Sequence, residues 1–192
     1  MPKRYFDLCD DIHIPGRWAL GTAVDPLGQK SGSWLFVRGE PVQVEGPLRV
    51  PVLQRGKPLD FSLADAGAIP IVSEKVADVL ARIAPTDVQL FPTKVGSHPE
   101  PYFLVNVARL VECIDDKASR EVRYWKPEDG RPEKVGKYRA VYGLRIDPAQ
   151  VGDANVFRTW GWAITLAVSQ EAKEALERTG TTGVKFENVT SC

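Results

Sequence analysis

Fifteen prolines and sixteen glycines, spread along 192 residues, leave few stretches long enough for a helix. Proline lacks the N–H that a helix interior or a central strand needs, and glycine weakens both. A chain cut this often is expected to fold mainly as short strands joined by turns. Residues 18–24 and 34–38 are short, aromatic-led runs and read as strands. Residues 48–53 carry Pro51, which makes that run an edge or bent strand. A turn follows at 54–58 and a brief extended piece at 59–63. Residues 1–60 therefore read as an N-terminal all-β or irregular portion, a candidate subdomain, and residues 61–192 as an α+β main domain.

Two segments break the pattern. Val76, Val79, Leu80 and Ile83 recur at helical spacing behind Ser73, and Ala172, Ala175 and Leu176 do so behind Ser169. Serine at each head is an N-cap residue, Glu74 and Glu171 suit the positive helix end, and Pro85 and Gly180 stop the helices. A shift of 96 residues aligns Val72 with Val168, Ser73 with Ser169, Leu80 with Leu176, Arg82 with Arg178, Thr86 with Thr182, Val88 with Val184 and Leu90 with Phe186. Chance resemblance of two Ser-capped helices and an internal repeat both account for this, and the sequence leaves both open.

Between the helices, residues 101–114 are apolar almost throughout and read as one central strand. Residues 121–125 and 138–146 read as an antiparallel hairpin. Residues 156–165 read as a further strand placing Trp160 and Trp162 on one face. The fold class expected is α+β, a mostly antiparallel sheet carrying two Ser-capped helices.

Composition excludes several functions. Lys+Arg and Asp+Glu are 25 each, so the net charge is zero and general nucleic-acid binding is not expected. No window approaches a membrane span, and the basic residues of the first seven positions have no apolar stretch behind them, unlike a signal peptide. Cys9, Cys113 and Cys192 are odd in number and unclustered, which fits neither a disulfide framework nor a zinc site. A soluble, cytoplasmic protein is expected.

Catalytic motifs fail in turn. Gly56-Lys57 and Gly136-Lys137 lack the spacing and the hydroxyl of a phosphate loop. A Cys113–His98 dyad requires the 101–114 strand to fold back on the loop that carries His98. The acidic pairs Asp10-Asp11, Asp115-Asp116 and Glu128-Asp129 sit in turn-like sequence. No catalytic, metal or cofactor residue is assigned. What remains is surface: residues 117–139 mix charges of both signs with Tyr124, Trp125 and Tyr138. This is either a solvated hairpin or a binding face, because Trp, Tyr and Arg dominate protein hot spots. The candidate partner-binding residues are Arg123, Tyr124, Trp125, Lys126, Arg131 and Tyr138.

Short motifs then point to a family. They are Pro58-Leu59-Asp60-Phe61-Ser62, Ile71-Val72-Ser73-Glu74-Lys75-Val76 and Leu90-Phe91-Pro92, with Val111-Glu112-Cys113-Ile114-Asp115-Asp116-Lys117-Ala118-Ser119. Ile146-Asp147-Pro148, Val156-Phe157-Arg158, Val168-Ser169 and Gly183-Val184-Lys185-Phe186 complete them. From near residue 58 to the end, the chain resembles bacterial immunity proteins of polymorphic-toxin systems, of a myxobacterial type first described as an uncharacterised conserved domain. The resemblance implies a cytoplasmic, non-enzymatic protein that binds and neutralises a cognate toxin protein, and it carries over no catalytic residue. The alternative is a small hydrolase or transferase using Cys113 and His98. A homodimer is a further candidate assembly, since exposed strand edges invite pairing.

Overall fold

The structure is a computed structural model that describes residues 3–25, 33–65 and 68–191. The N-terminal strand β1 (Tyr5–Asp10) is followed by β2 (Ala19–Leu20), a 3₁₀ turn at Ser33–Val37, β3 (Leu48–Val50) and β4 (Val52–Gln54). Next come β5 (Phe61–Ala64), β6 (Ile69–Ser73), helix α1 (Glu74–Ile83), β7 (Val88–Val95) and β8 (Tyr102–Val107). A short β9 (Leu110–Val111) leads to the hairpin β10 (Glu121–Tyr124) and β11 (Tyr138–Tyr142). The last elements are β12 (Val156–Thr159), β13 (Trp162–Ser169), α2 (Gln170–Arg178) and β14 (Val184–Asn188).

Two five-stranded sheets result, ordered β14-β1-β13-β12-β9 and β3-β7-β8-β6-β5, and most of their pairings are antiparallel. The expected α+β class with two helices is what the chain forms. Both helices present their apolar stripes to one core, where Val76, Val79 and Leu80 of α1 meet Ala172, Ala175 and Leu176 of α2 beside Leu8, Val105 and Val168. A second core under β3 and β8 gathers Trp18, Phe36, Leu48 and Leu104, and a third gathers Tyr5, Cys113, Ile146 and Phe157.

The similarity of the two helix units extends to their strands. Val72 and Ser73 of β6 face Phe103 and Tyr102 of β8, while Val168 and Ser169 of β13 face Phe6 and Tyr5 of β1. Val88 and Leu90 of β7 face Val107 and Val105, while Val184 and Phe186 of β14 face Asp10 and Leu8. Each half is thus a β-hairpin, a helix and two further strands in the same order and register. In the second half the last strand is contributed by the N-terminus of the chain. The halves also clasp each other reciprocally. Asp60, at the head of the first half, accepts the Thr182 N–H (2.9 Å) and hydroxyl (2.7 Å) from the turn after α2. Asn155, at the head of the second half, donates its N–H to Asp87 (2.8 Å) and its side-chain amide to the Ile83 carbonyl (2.9 Å), both at the end of α1.

Several sequence expectations change. The 34–38 run is 3₁₀ rather than strand: at three residues per turn, Phe36 is buried against Phe91 while Trp34 points to solvent, which strand alternation forbids for residues two apart. The 101–114 run splits after Val107, where Ala108 donates to the Asp87 carbonyl and the chain crosses to the other sheet as β9. The 156–165 run is a hairpin turning at Trp160 and Gly161, whose φ of +76° supplies the left-handed geometry of a two-residue turn, so the two indoles do not share one strand face. The run at 18–24 shrinks to Ala19–Leu20, and the one at 138–146 ends as a strand at Tyr142. Pro51 does separate two short strands, β3 and β4. Cys192 lies outside the described residues.

Candidate functional site

The candidate residues lie on or beside the β10–β11 ribbon, whose strands pair only with each other. Arg123 faces Ala140, and a register shift then sets Tyr124 opposite Tyr138. Their rings lie 4.8 Å apart, and both hydroxyls donate to the carboxylate of Asp116, Tyr138 at 2.7 Å to Oδ1 and Tyr124 to Oδ2. Asp116 sits in a turn held by its neighbour: the Asp115 carboxylate accepts the Lys117 and Ala118 N–H groups at 3.0 Å and the Ser191 hydroxyl at 3.1 Å. Partial burial, then the hydrogen bond to Asp116 and its charge, raise the Tyr124 phenol against the opposing effect of Tyr138, and partial burial with the Tyr124 and Asp116 hydrogen bonds raises that of Tyr138. Tyr138 also abuts the β12–β13 turn, where a Cβ on Gly161 would come within 2.9 Å of its ring. The ribbon is therefore pinned to the body of the molecule by the tyrosine pair at the loop end of its ladder.

Its outer end is organised by charge. Trp125 lies under the Lys134 ammonium and the Arg139 guanidinium, each 5.1 Å from the ring centroid. Asp129 holds Arg139 at 2.5 Å and accepts the Lys126 N–H at 2.9 Å. Arg123 pairs with Glu121 at 2.6 Å, and the charge and hydrogen bond of Glu121 hold its guanidinium more firmly protonated. Arg123, Tyr124 and Lys126 share a shallow groove of about 750 Å³ with Arg139 and Tyr142, the latter 44% exposed. Arg131 stands at the head of the 3₁₀ turn Pro132–Lys134, exposed, with no ion pair to a described residue. Trp125, Arg131 and Tyr138 do not line the groove. Asp116, Asp129, Arg139 and Tyr142 are the residues that the candidate set missed. An acid in a turn looks solvated, and the two hydroxyls reaching Asp116 come from opposite strands.

The proposed thiol–imidazole pair does not form. Cys113 is 3% exposed in the core with Tyr5 and Phe157, and burial, then the Asp147 charge, push its thiol up to about 12. His98 instead packs edge-on against Trp18 (5.7 Å) and Tyr102 (5.5 Å), two side chains of a different core. The 101–114 run leaves the sheet beside His98 before it reaches Cys113, so the fold-back that the dyad required is absent. Among the described residues no group of three or more His, Cys, Asp or Glu side chains is placed to hold a metal ion, and no helix is long and apolar enough to cross a membrane.

Residues 9–191 match the Immunity protein family (Imm11). The chain belongs to the Imm11 immunity protein family. The match starts within β1 and so extends the sequence resemblance, strongest beyond residue 58, across the N-terminal portion of this Imm11 protein. No curated protein matches it.

Proposed function

We propose that this Imm11 protein acts in the cytoplasm by binding one cognate bacterial toxin domain directly and blocking it, with no chemistry of its own. The observation that carries this reading is the pinned ribbon. Asp116 fixes Tyr124 and Tyr138, and Asp129 fixes Arg139, so the face with Arg123, Lys126 and Tyr142 is ordered before any partner arrives. Ordering a binding face in advance lowers the entropy lost on association. Aromatic and arginine side chains on such a face supply the buried anchors of a tight complex. The complex is expected to bury about 1,600 Å² in total.

Coexpression with the product of the reading frame beside this chain, as the toxin to be neutralised, tests the reading. The toxin alone arrests growth, the pair grows, and the two proteins co-elute. The double variant Arg123→Glu/Lys126→Glu, still folded, loses protection. If the wild-type chain neither binds the toxin nor restores growth, the proposal fails.

A further inference from the structure

The strand pattern repeats beyond the helix units. In the first half Val24 bridges antiparallel to Arg49, which lies parallel beside Lys94. In the second half Ile114 bridges antiparallel to Ile146, which lies parallel beside Thr190, 96 positions beyond Lys94. Each half therefore carries an insertion at the same topological place, one between Val24 and Arg49 and one between Ile114 and Ile146. The second insertion is the β10–β11 ribbon with its flanking turns. In repeat proteins, insertions at matching positions gather on one face, often the face that binds.

The described parts of the two insertions converge. Val37, Arg38 and Glu40 from the first and Lys137 from the second line one groove of about 470 Å³ together with Leu110 and Trp160. Gly39 presses on Leu110 so closely that a Cβ there would come within 2.7 Å of the leucine Cβ. The groove's apolar members stay open, with Leu110 at 36% and Trp160 at 38% exposure. Beside them the Arg38 guanidinium stacks 3.8 Å over the exposed ring of Trp34.

Charge leans positive over the groove and the ribbon together, and in the groove itself Arg38 and Lys137 stand against Glu40. On the ribbon, Glu121, Glu128 and Asp129 each have a cation, in Arg123, Lys126 and Arg139. Asp115 and Asp116 are engaged by N–H and hydroxyl groups. Among the described residues, Lys117, Arg120, Arg131, Lys134, Lys137 and, across the groove, Arg38 form no ion pair. Among the described residues, Glu40 in the groove, Glu133 on the ribbon, Glu45 in the first insertion and Glu112, two residues beyond Leu110, are the exposed acids without an ion pair set against these six cations.

We infer that this groove anchors the toxin and that the toxin meets it with an acidic surface, an apolar side chain seated between carboxylates. Leu110 and Trp160 take the apolar group, and Arg38 and Lys137 take the carboxylates. This rests on the immunity reading and adds the chemistry of the partner. A nucleic-acid-cleaving domain lines its cleft with cations to hold phosphates. The surface that fits here has the opposite sign, so the patch seated in this groove is carboxylate-bearing and is not a phosphate-holding cleft.

The test titrates an inactivated form of the neighbouring reading frame's product into wild type, Arg38→Glu/Lys137→Glu, Trp160→Ala and the remote control Arg178→Glu, at low and physiological salt. All four positions are solvent-exposed, and circular dichroism confirms folding. The double charge reversal is expected to weaken binding about thirtyfold or more, mostly through the association rate, and to flatten its salt dependence. Trp160→Ala is expected to weaken it about tenfold through dissociation, and Arg178→Glu to leave it within about twofold. If wild type binds and the double variant binds equally well, the groove assignment is overturned while the immunity reading stands. If wild type neither binds nor protects, the immunity reading falls and the groove assignment with it. A labelled nucleic-acid duplex that wild type binds and the double variant releases overturns it in favour of a polyanion. A dimer in light scattering that the same variant dissolves overturns it in favour of a second copy of the chain.

Discussion

Ser73 and Ser169 stand at the same point of two matching strand–helix units, with φ and ψ of −67° and 163° against −68° and 162°, yet only Ser169 caps its helix. The Ser169 hydroxyl accepts the Ala172 N–H at 3.2 Å while donating to Asn155 at 2.8 Å. The Ser73 hydroxyl donates to Asp60 at 3.0 Å and makes no capping bond. Asp60 and Asn155 are equivalent heads of the two halves, so the same serine serves the interface in both and the helix in one. Ser169→Ala is therefore expected to cost about 1–2 kcal/mol and Ser73→Ala under about 1 kcal/mol, read from urea midpoints. Equal losses would contradict the difference in capping.

Asp87 carries the opposite clasp. It is 4% exposed, and one carboxylate oxygen accepts the N–H groups of Asn155 (2.8 Å) and Val156 (3.1 Å). Asp87→Ala leaves both donors unpaired at the start of β12 and is expected to cost about 2–5 kcal/mol. Hydrogen exchange should show the Asn155 and Val156 amides, slow in wild type, becoming fast. Unchanged protection would remove Asp87 from the interface.

Asp7 gives the molecule an acid-side stability gain. Burial, with the Glu187 charge adding to it, pushes its carboxyl up to about 6 against the Cys9 hydrogen bond, the Leu166 N–H and the charge of Arg158. A folded-state value above the unfolded one means the native state holds the proton more tightly. The stabilisation is full below about pH 4 and is lost as the pH rises through about 6. Asp7→Asn is expected to flatten melting temperature between pH 4.5 and 7.5 and to raise it above wild type at pH 8. A wild-type profile already flat across that window would rule this out.

Asp60 acts in the other direction. Burial raises its carboxyl, but the Lys75 ammonium and the hydrogen bonds from Thr182 and Ser73 outweigh that and hold it below the ordinary range. Its contribution is present above about pH 4 and is lost as the pH falls through the depressed value. Asp60→Asn should therefore lose stability at pH 7 and converge on wild type in strong acid, measured by denaturant unfolding at both pH values.

Asp116→Ala separates binding from folding. Its carboxylate ties Tyr124 and Tyr138 on a ribbon that belongs to neither main sheet, so the cores do not depend on it. The expected result is a loss of global stability under about 1 kcal/mol, faster amide exchange confined to β10 and β11, and faster dissociation of the toxin. Unaltered exchange in the ribbon would show that Asp116 does not pin it.

Much of the fold was legible where neighbours in sequence carry the signal. Val76, Val79, Leu80 and Ile83 announce α1 by spacing alone, and Pro51 divides β3 from β4. The pairing of β10 with β11 was legible too, as alternation on either side of a turn. The groove walled by Arg38, Leu110, Lys137 and Trp160 was not, because these residues lie far apart in the chain and no local pattern links them. The 34–38 run misled for the same reason: its aromatic residues favour a strand, and the 3₁₀ geometry is decided by the pocket that Phe36 fills against Phe91.

By itself the sequence determined the class of the protein: short strands from its prolines and glycines, two helices from apolar spacing, and zero net charge. Even the 96-residue echo was visible, though not its meaning. Only the tertiary structure decided that the echo is a pair of matching half-sheets, that Tyr5 and Phe6 complete the second as Tyr102 and Phe103 complete the first, and that the two insertions share a groove. The physical reason is range. Propensity, capping and periodicity act over a few residues, whereas strand register between the two ends of the chain is settled by which apolar faces can be buried together.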